Sequence, residues 1–200
     1  MSGFYAHSRR KVSVSALDNI GGTVSLFRIE SLGKTHDRQG FTCGIESLDL
    51  YLKTQATQDM RRKANAVFVM VAPDVPERII GYFTLCSYTL APGTVPPSAR
   101  KYVPRYPLVS ATLIGRLAVS QDWQRQGCGA ILLARALRMA YDNADIVGSS
   151  MIVVDALNEA VARFYEAHGF ARLPESLRLV MPLATVGEAI KNESTPEVLP

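Results

Sequence analysis

Ile114-Gly-Arg-Leu-Ala-Val119-Ser-Gln-Asp-Trp-Gln124-Arg-Gln-Gly127-Cys-Gly129-Ala-Ile-Leu-Leu133 decides the reading of this chain. The apolar residues before Ser120 have strand composition, Ser120 to Gln126 is a polar turn region, and Ala130 onward is apolar at helical spacing. A strand, a glycine loop and a helix start therefore follow one another. The first turn of a helix leaves backbone N–H groups unpaired at the positive end of its dipole, so an anion can settle there if no side chain intervenes. Glycines at 127 and 129 leave that room, although two glycines also suit a tight turn packed against a strand. The spacing is neither a dinucleotide fingerprint nor a P-loop, because no Gly-Lys-Ser/Thr follows.

Working outward, Leu108–Val119 is predicted as a central strand and about Cys128–Asp145 as a helix. Ile131, Leu132, Ala134, Leu137, Met139 and Tyr141 are the candidates for the buried side of that helix. Upstream, Thr23–Ile29 is a candidate first strand. Helical stretches follow with Leu48, Tyr51 and Leu52 in register, Thr42 as a candidate cap, and a further run from Thr54 to Asn65. Ala66-Val-Phe-Val-Met-Val-Ala72 and Ile79–Leu90 read as an antiparallel hairpin with a six-residue connection, and Gly81 marks a bulge or a close backbone approach. The segment 91–107 holds five prolines and two tyrosines among basic residues, a long loop of the sort that more often serves function. Downstream come a strand at Ser150–Val154, a helix at Asn158–His168 closed by Gly169, and a strand at Leu177–Leu183.

The order β-αα-β-β-β-α-β-α-β gives a mixed α/β (α+β) single domain over about residues 23–183, with a loose arm at 1–22 and a frayed tail at 184–200. Two hundred residues, 48% hydrophobic, suffice for one domain with a sizeable core. No apolar run approaches the roughly 20 residues that cross a bilayer, and no secretory h-region follows the N-terminal charges, so a cytoplasmic protein is expected. Three cysteines, Cys43, Cys86 and Cys128, without C-x-x-C spacing suggest neither a disulfide framework nor a metal site. The net charge is +4, and residues 91–116 carry Arg100, Lys101, Arg105 and Arg116 without one Asp or Glu. With Arg61-Arg62-Lys63 and Arg9-Arg10-Lys11 these clusters point to an anionic partner, against the plainer reading of solvated faces.

Val119-x4-Gln124-x-x-Gly127-x-Gly129 resembles the acetyl-CoA signature of the GNAT N-acetyltransferases. Asn158-Glu-Ala-Val-Ala-Arg-Phe164-Tyr165-Glu-Ala-His-Gly169-Phe170 is similar to that family's second acyl-CoA motif. The resemblance implies a GNAT fold with a central, mostly antiparallel mixed sheet, and acetyl-CoA as the acyl donor. The donor would be held by Leu117, Val119, Gln124, Arg125, Gln126, Gly127, Gly129, Ala130 and Asn158, with Tyr165 as catalytic acid for the leaving thiolate. Helix periodicity alone favours a core tyrosine with its hydroxyl hydrogen-bonded, and it is the motif that reverses this reading. Many members place a carboxylate on the central strand as base, and Ala111–Val119 has none. An α-amine, with a pKa near 7.7 to 8.0, therefore suits this chain better than a lysine amine near 10.4.

Phe41-x-Cys43-Gly44, Leu48-Asp49-x-Tyr51-Leu52, Ile80-Gly-Tyr-Phe-Thr-Leu85 and Gly115-Arg-Leu-Ala-Val119 are together similar to the TacT-like toxins, a GNAT branch of bacterial toxin–antitoxin pairs. That likeness implies acetylation of the α-amino group of aminoacyl-tRNA. Its acceptor-stem phosphates would be bound by some of Arg61, Arg62, Lys63, Arg100, Lys101 and Arg105. It also implies a ribbon-helix-helix antitoxin as partner and admits a homodimer. The longer arm before residue 23 and Cys128 between the glycines depart from the branch pattern. Acetylation of a small amine or a protein N-terminus, or acyl-CoA sensing without catalysis, are the alternatives. Arg116 remains ambiguous between a buried ion pair and an anion contact. Cys128 reads as a spacer, His168 as a partner of a helix dipole, and Trp123 as cover for the loop.

Overall fold

The computed structural model describes residues 27–103 and 105–193. The expected arm at 1–22, the beginning of the first strand, Arg9-Arg10-Lys11 and the last seven residues of the tail lie outside the described residues. Seven strands form one sheet in the order β1-β2-β3-β4-β5-β7-β6. They are β1 (Arg28–Ser31), β2 (Ala66–Ala72), β3 (Val75–Leu90), β4 (Val109–Val119), β5 (Met151–Asp155), β6 (Ala171–Arg172) and β7 (Arg178–Pro182). Every neighbouring pair is antiparallel except β4–β5, which is parallel. The mixed, mostly antiparallel sheet expected from sequence is the one observed.

Strand alternation sends successive side chains to opposite faces, and both faces are covered. On one face Phe83, Ile114, Ile152, Val154, Leu179 and Met181 meet helix α3 (Cys128–Asp142) and helix α5 (Glu159–Ala167). On the other, Val67, Val69, Val71, Tyr82 and Ala118 pack under α1 (Glu46–Leu50) and the turns that follow it. Farther along that second face, Val109, Ala111, Met151, Val153 and Val180 are capped by Val95 and Ala99 of the long loop. The chain from Glu46 to Arg61 is one helical rod: α1, a π turn at Tyr51–Gln55, and α2 (Ala56–Arg61). Thr42 does not cap it. Its hydroxyl donates to the Asp49 carboxylate, which also takes the Cys43 N–H, while Ile45 occupies the cap position.

Four further expectations are corrected. The β2–β3 turn is Pro73-Asp74 rather than six residues, since β3 begins at Val75 and an irregular register opposite Val71 and Ala72 absorbs the residues up to Ile79. That irregularity also accommodates Pro76, which cannot donate to a regular ladder. The helix after the glycine loop ends at Asp142, and a separate short helix α4 (Ala144–Val147) follows. Within α3 the buried side is Cys128, Leu132, Leu133, Ala134, Ala136, Leu137 and Ala140, so Leu132, Ala134 and Leu137 are buried as expected, whereas Ile131, Met139 and Tyr141 are only half-buried. Leu183, expected to end the last strand, and residues 184–193, expected to belong to a frayed tail, form helix α6, which packs on α3 and buries Leu183 and Val186.

Gly81 proves to be both a bulge neighbour and a close approach. Ile80 is the extra residue in β3 between the pairs Gly81–Met70 and Ile79–Val71. A Cβ on Gly81 would stand 2.6 Å from Leu132 Cδ1 and 2.8 Å from the Ala118 carbonyl oxygen, and the latter, being backbone, cannot move aside cheaply. Gly81→Ala is therefore expected to lower stability by about 1–3 kcal/mol, the usual cost of overpacking, read as a fall in the urea midpoint with an unchanged m-value.

Candidate active site

The central strand loses its neighbour halfway along. β4 pairs with β5 from Ala111–Met151 to Ile114–Val154 and no farther, although β4 runs on to Val119. Gly115 supplies the reason. The β3–β4 register passes from Leu85–Ile114 to Thr84–Arg116, leaving Gly115 as an unpaired bulge residue, and a bulge bends and twists its strand. A Cβ on Gly115 would lie 3.2 Å from the buried Thr84 hydroxyl oxygen. From Gly115 to Val119, Leu117 included, the edge of β4 that faces away from β3 has no strand partner. Its backbone groups suit an extended ligand that carries amides of its own.

The loop continues this edge. Arg125 and Gly127 both have left-handed backbones (φ 60° and 83°), and Gly127 begins α3 without any side-chain cap. The N–H groups of Ala130 and Ile131 return to the Gly127 carbonyl at 3.0 and 3.2 Å. Those of Arg125, Gln126, Gly127, Cys128 and Gly129 make no hydrogen bond of regular geometry among the described residues. Donors on a turn with left-handed residues, at the positive end of a helix, are an arrangement suited to an anion. Gln124 and Gln126, expected to hold the ligand, spend their side chains on the loop itself. Gln124 Nε2 donates to the carbonyls of Cys43 (2.8 Å) and Val119 (3.0 Å), and Gln126 Nε2 to that of Asp122 (2.9 Å). Trp123 covers the loop against Phe27, edge to face at 5.5 Å. Cys128 is buried, and burial raises its thiol pKa, so it acts as a spacer rather than a nucleophile.

Across the gap stands α5. Asn158 caps it, its side-chain oxygen accepting the Val161 N–H at 3.0 Å, so that oxygen is committed to the helix. Phe164 Cζ and Val119 Cγ2 lie 3.9 and 4.0 Å from where a Gly129 Cβ would stand, which sets helix α5 beside the start of α3. Tyr165 is 5% exposed, held between Phe164 (5.3 Å) and Phe170 (5.5 Å) in the core that also contains Ile114 and Val154. Its hydroxyl has no hydrogen-bond partner among the described residues. Burial, helped by the Asp155 carboxylate, pushes its pKa up to about 12. Asp155 itself, at the end of β5, is engaged by Arg178 through Nε (2.6 Å) and Nη2 (2.9 Å), and Arg178 also donates to the Tyr88 hydroxyl. This ion-paired cluster was not anticipated from sequence, since β7 gave no sign of lying beside β5.

The basic residues form two groups. Arg61, Arg62 and Lys63 close α2, while Arg100, Lys101 and Arg105 belong to the long loop. All six are exposed, and none forms an ion pair among the described residues. Both groups belong to the coverings of one sheet face, yet the structure does not bring them into contact. Arg100 Nε donates to the Val95 carbonyl at 3.1 Å, and Lys101 Nζ lies 4.7 Å from the Tyr102 ring centre. Of the two readings of Arg116, the ion pair is not formed among the described residues. The guanidinium lies over the Tyr51 ring at 3.6 Å. His168 Nδ1 approaches the Phe164 carbonyl at 2.7 Å, at the C-terminal end of α5.

A splayed β4–β5 pair, a donor-lined loop entering α3, and a tyrosine with a free hydroxyl on the facing helix are the parts of an acyl-CoA-dependent acetyltransferase. The chain matches the family model for the acetyltransferase (GNAT) domain over residues 64–172, and it belongs to that family. It is 28% identical over 159 residues to the probable toxin TacT of Sinorhizobium fredii, covering 76% of this chain and 87% of that one. Among solved structures it resembles AtaT complexed with acetyl-methionyl-tRNAfMet (TM-score 0.75, 30% identity, 82% of this chain and 99% of that one). It also resembles a tyrosine-to-phenylalanine mutant of the AtaT toxin bound to the C-terminus of the antitoxin AtaR and acetyl-CoA (TM-score 0.69, 27% identity, 82% and 98%). No helix among the described residues is long and apolar enough to cross a membrane.

Proposed function

We propose that this chain is an acetyl-CoA-dependent toxin that acetylates the α-amino group of aminoacyl-tRNA and so blocks translation. The observation that carries the reading is the unpartnered edge of β4 running into five free amides beside Tyr165, in a chain that resembles a protein solved with an acetylated aminoacyl-tRNA. Acetyl-CoA supplies an activated acetyl group. The amides of Arg125 to Gly129, with Arg125 beside them, hold the pyrophosphate. The edge from Gly115 to Val119 orients the extended arm, Leu117 and Val119 contributing backbone, and Ala130 lies at the same helix start. Asn158 serves by fixing the first turn of α5 and so the place of Tyr165. Tyr165, kept protonated because burial holds its phenol pKa up at about 12, donates its proton as the thiolate departs, and the phenolate is re-protonated by the proton that the attacking amine loses on becoming an amide.

The acceptor must arrive already neutral in part, because β4 offers no carboxylate base, and an α-amine beside an ester meets that demand. Such a substrate places the enzyme in the cytoplasm. A ribbon-helix-helix antitoxin is its partner, and the exposed apolar side chains of Tyr106, Leu108, Ile146 and Val147 offer surface for it or for a second copy in a homodimer.

Incubation with radiolabelled acetyl-CoA and bulk charged tRNA tests the reading. Label is expected on charged tRNA and on neither deacylated tRNA nor free amino acids. Label confined to small amines or protein would replace the toxin with an acetyltransferase of another substrate class. In the same assay, reversing the charges of Arg100, Lys101 and Arg105 together is expected to cut activity on aminoacyl-tRNA by about tenfold or more, with acetyl-CoA affinity unchanged by calorimetry. The residual activity should depend less steeply on salt.

A further inference from the structure

On the sheet face that carries α1 and α2, the apolar clusters under those helices and under the long loop are separate, and Cys86 and Arg116 belong to neither. These two half-buried residues stand between the two clusters, Arg116 opposite Thr84 and Cys86 opposite Leu113. Arg116 is the first residue after the Gly115 bulge, so its backbone lies on the stretch of β4 that has lost β5. Its side chain points to the face opposite α3 and α5. The guanidinium thus lies over Tyr51 on the sheet face opposite the core that holds Tyr165.

Its state is unusual for a half-buried arginine. It forms no ion pair and no hydrogen bond among the described residues, and its neighbour is the Tyr51 ring, 3.6 Å from the guanidinium carbon. Tyr51 is fixed by the π turn it begins, is 2% exposed, and stacks on Tyr82 at 6.4 Å. The nearby Asp59 carboxylate, which contributes to raising the Tyr51 pKa, already accepts the Asn65 amide at 3.0 Å. Arg178, the other arginine on this face of the β4–β5 opening, is neutralised by Asp155. A guanidinium that lies over an aromatic ring and makes no hydrogen bond keeps its N–H groups available, and their fork matches a phosphate bidentately.

We propose that Arg116 binds the phosphodiester nearest the reacting amine, the last internucleotide phosphate of the aminoacyl-tRNA acceptor end, and so selects a nucleic-acid-linked amine over a free one. This rests on the aminoacyl-tRNA reading above. Arg116 is a substrate-binding and specificity-determining residue. The outer groups, Arg61 to Lys63 and Arg100 to Arg105, hold the stem.

The test compares two acceptors, aminoacyl-tRNA and the methyl ester of the same amino acid, which has the α-amine and ester but no phosphate. Arg116→Met keeps an apolar stem over Tyr51. It is expected to raise KM for aminoacyl-tRNA about tenfold or more with little change in kcat, as loss of one charge-assisted contact requires. It should also lower the slope of log kcat/KM against log salt by about one. Its kcat/KM for the ester should stay at the wild-type value. Arg116→Lys is expected to keep the salt slope while losing part of the affinity, which separates charge from folding. Equal losses on both acceptors, or an unchanged KM and salt slope on aminoacyl-tRNA, overturn the proposal while leaving the toxin reading intact. Wild-type enzyme that labels the ester but never charged tRNA overturns both.

Discussion

Tyr165→Phe is expected to bind acetyl-CoA with wild-type affinity and to turn over about 10²-fold more slowly or worse. The ring is what the fold needs. It fills the space between Phe164 and Phe170, and the hydroxyl has no hydrogen-bond partner among the described residues, so its removal leaves no buried group stranded. Stability should change little, and the loss should fall on kcat. The pH profile offers a second check. Burial raises the phenol pKa to about 12, so the protonated donor persists well above the range in which an ordinary phenol, near 10, begins to ionise. The acid side should follow the acceptor amine, and the alkaline side should stay flat to about pH 10 in the wild type. Full activity in Tyr165→Phe removes the residue from the mechanism.

The parts of the site that could be read from sequence are those fixed by local pattern. Glycines after a polar turn and before an apolar helical run announced the glycine loop and the uncapped helix start, because left-handed backbone at Gly127 and a missing cap are local properties. The Asn158-to-Phe170 motif announced α5 and Tyr165 for the same reason. What pattern could not supply was register. The gap beside β4 exists because pairing with β5 stops at Val154, and nothing in either strand's composition marks that point. Gly115 was the available signal, as a glycine inside a strand suggests a bulge.

Side-chain roles were also less legible than backbone roles. Gln124, Gln126 and Asn158 stand where a ligand-binding motif puts them, yet the groups that face outward are main-chain amides, while these side chains brace the loop and cap the helix. Arg116 could not be assigned because its partner, Tyr51, lies on a helix far away in sequence. Helix α6 was missed for a different reason. Leu183, Val186 and Ile190 have helical spacing, but Pro182 before them and Gly187 among them read as breakers. The proline ends β7 and the glycine lies under the Tyr141 ring, where a Cβ would come within 2.7 Å of Cε2. Two-residue β6 is too short to show any period.

Gly129→Glu is expected to abolish acetyl-CoA binding without unfolding the protein. At this position a Cβ meets only Phe164 Cζ at 3.9 Å and Val119 Cγ2 at 4.0 Å, ordinary contact distances, so Gly129→Ala should bind and turn over much as the wild type does. A glutamate must continue from that Cβ into the opening between β4 and α5, and it carries its charge to the second residue of α3. There the free amides of Arg125 to Gly129 would take the carboxylate in place of a ligand's phosphates. That capping should leave stability equal or higher by about 0.3–1 kcal/mol, the usual worth of an anion at a helix start. The variant therefore separates two roles that a glycine loop can have. Lost calorimetric binding with an unchanged or raised melting temperature means that the loop holds an anionic ligand. Undiminished acetyl-CoA affinity in Gly129→Glu would mean that the loop is only a turn, and that the donor binds elsewhere on the molecule.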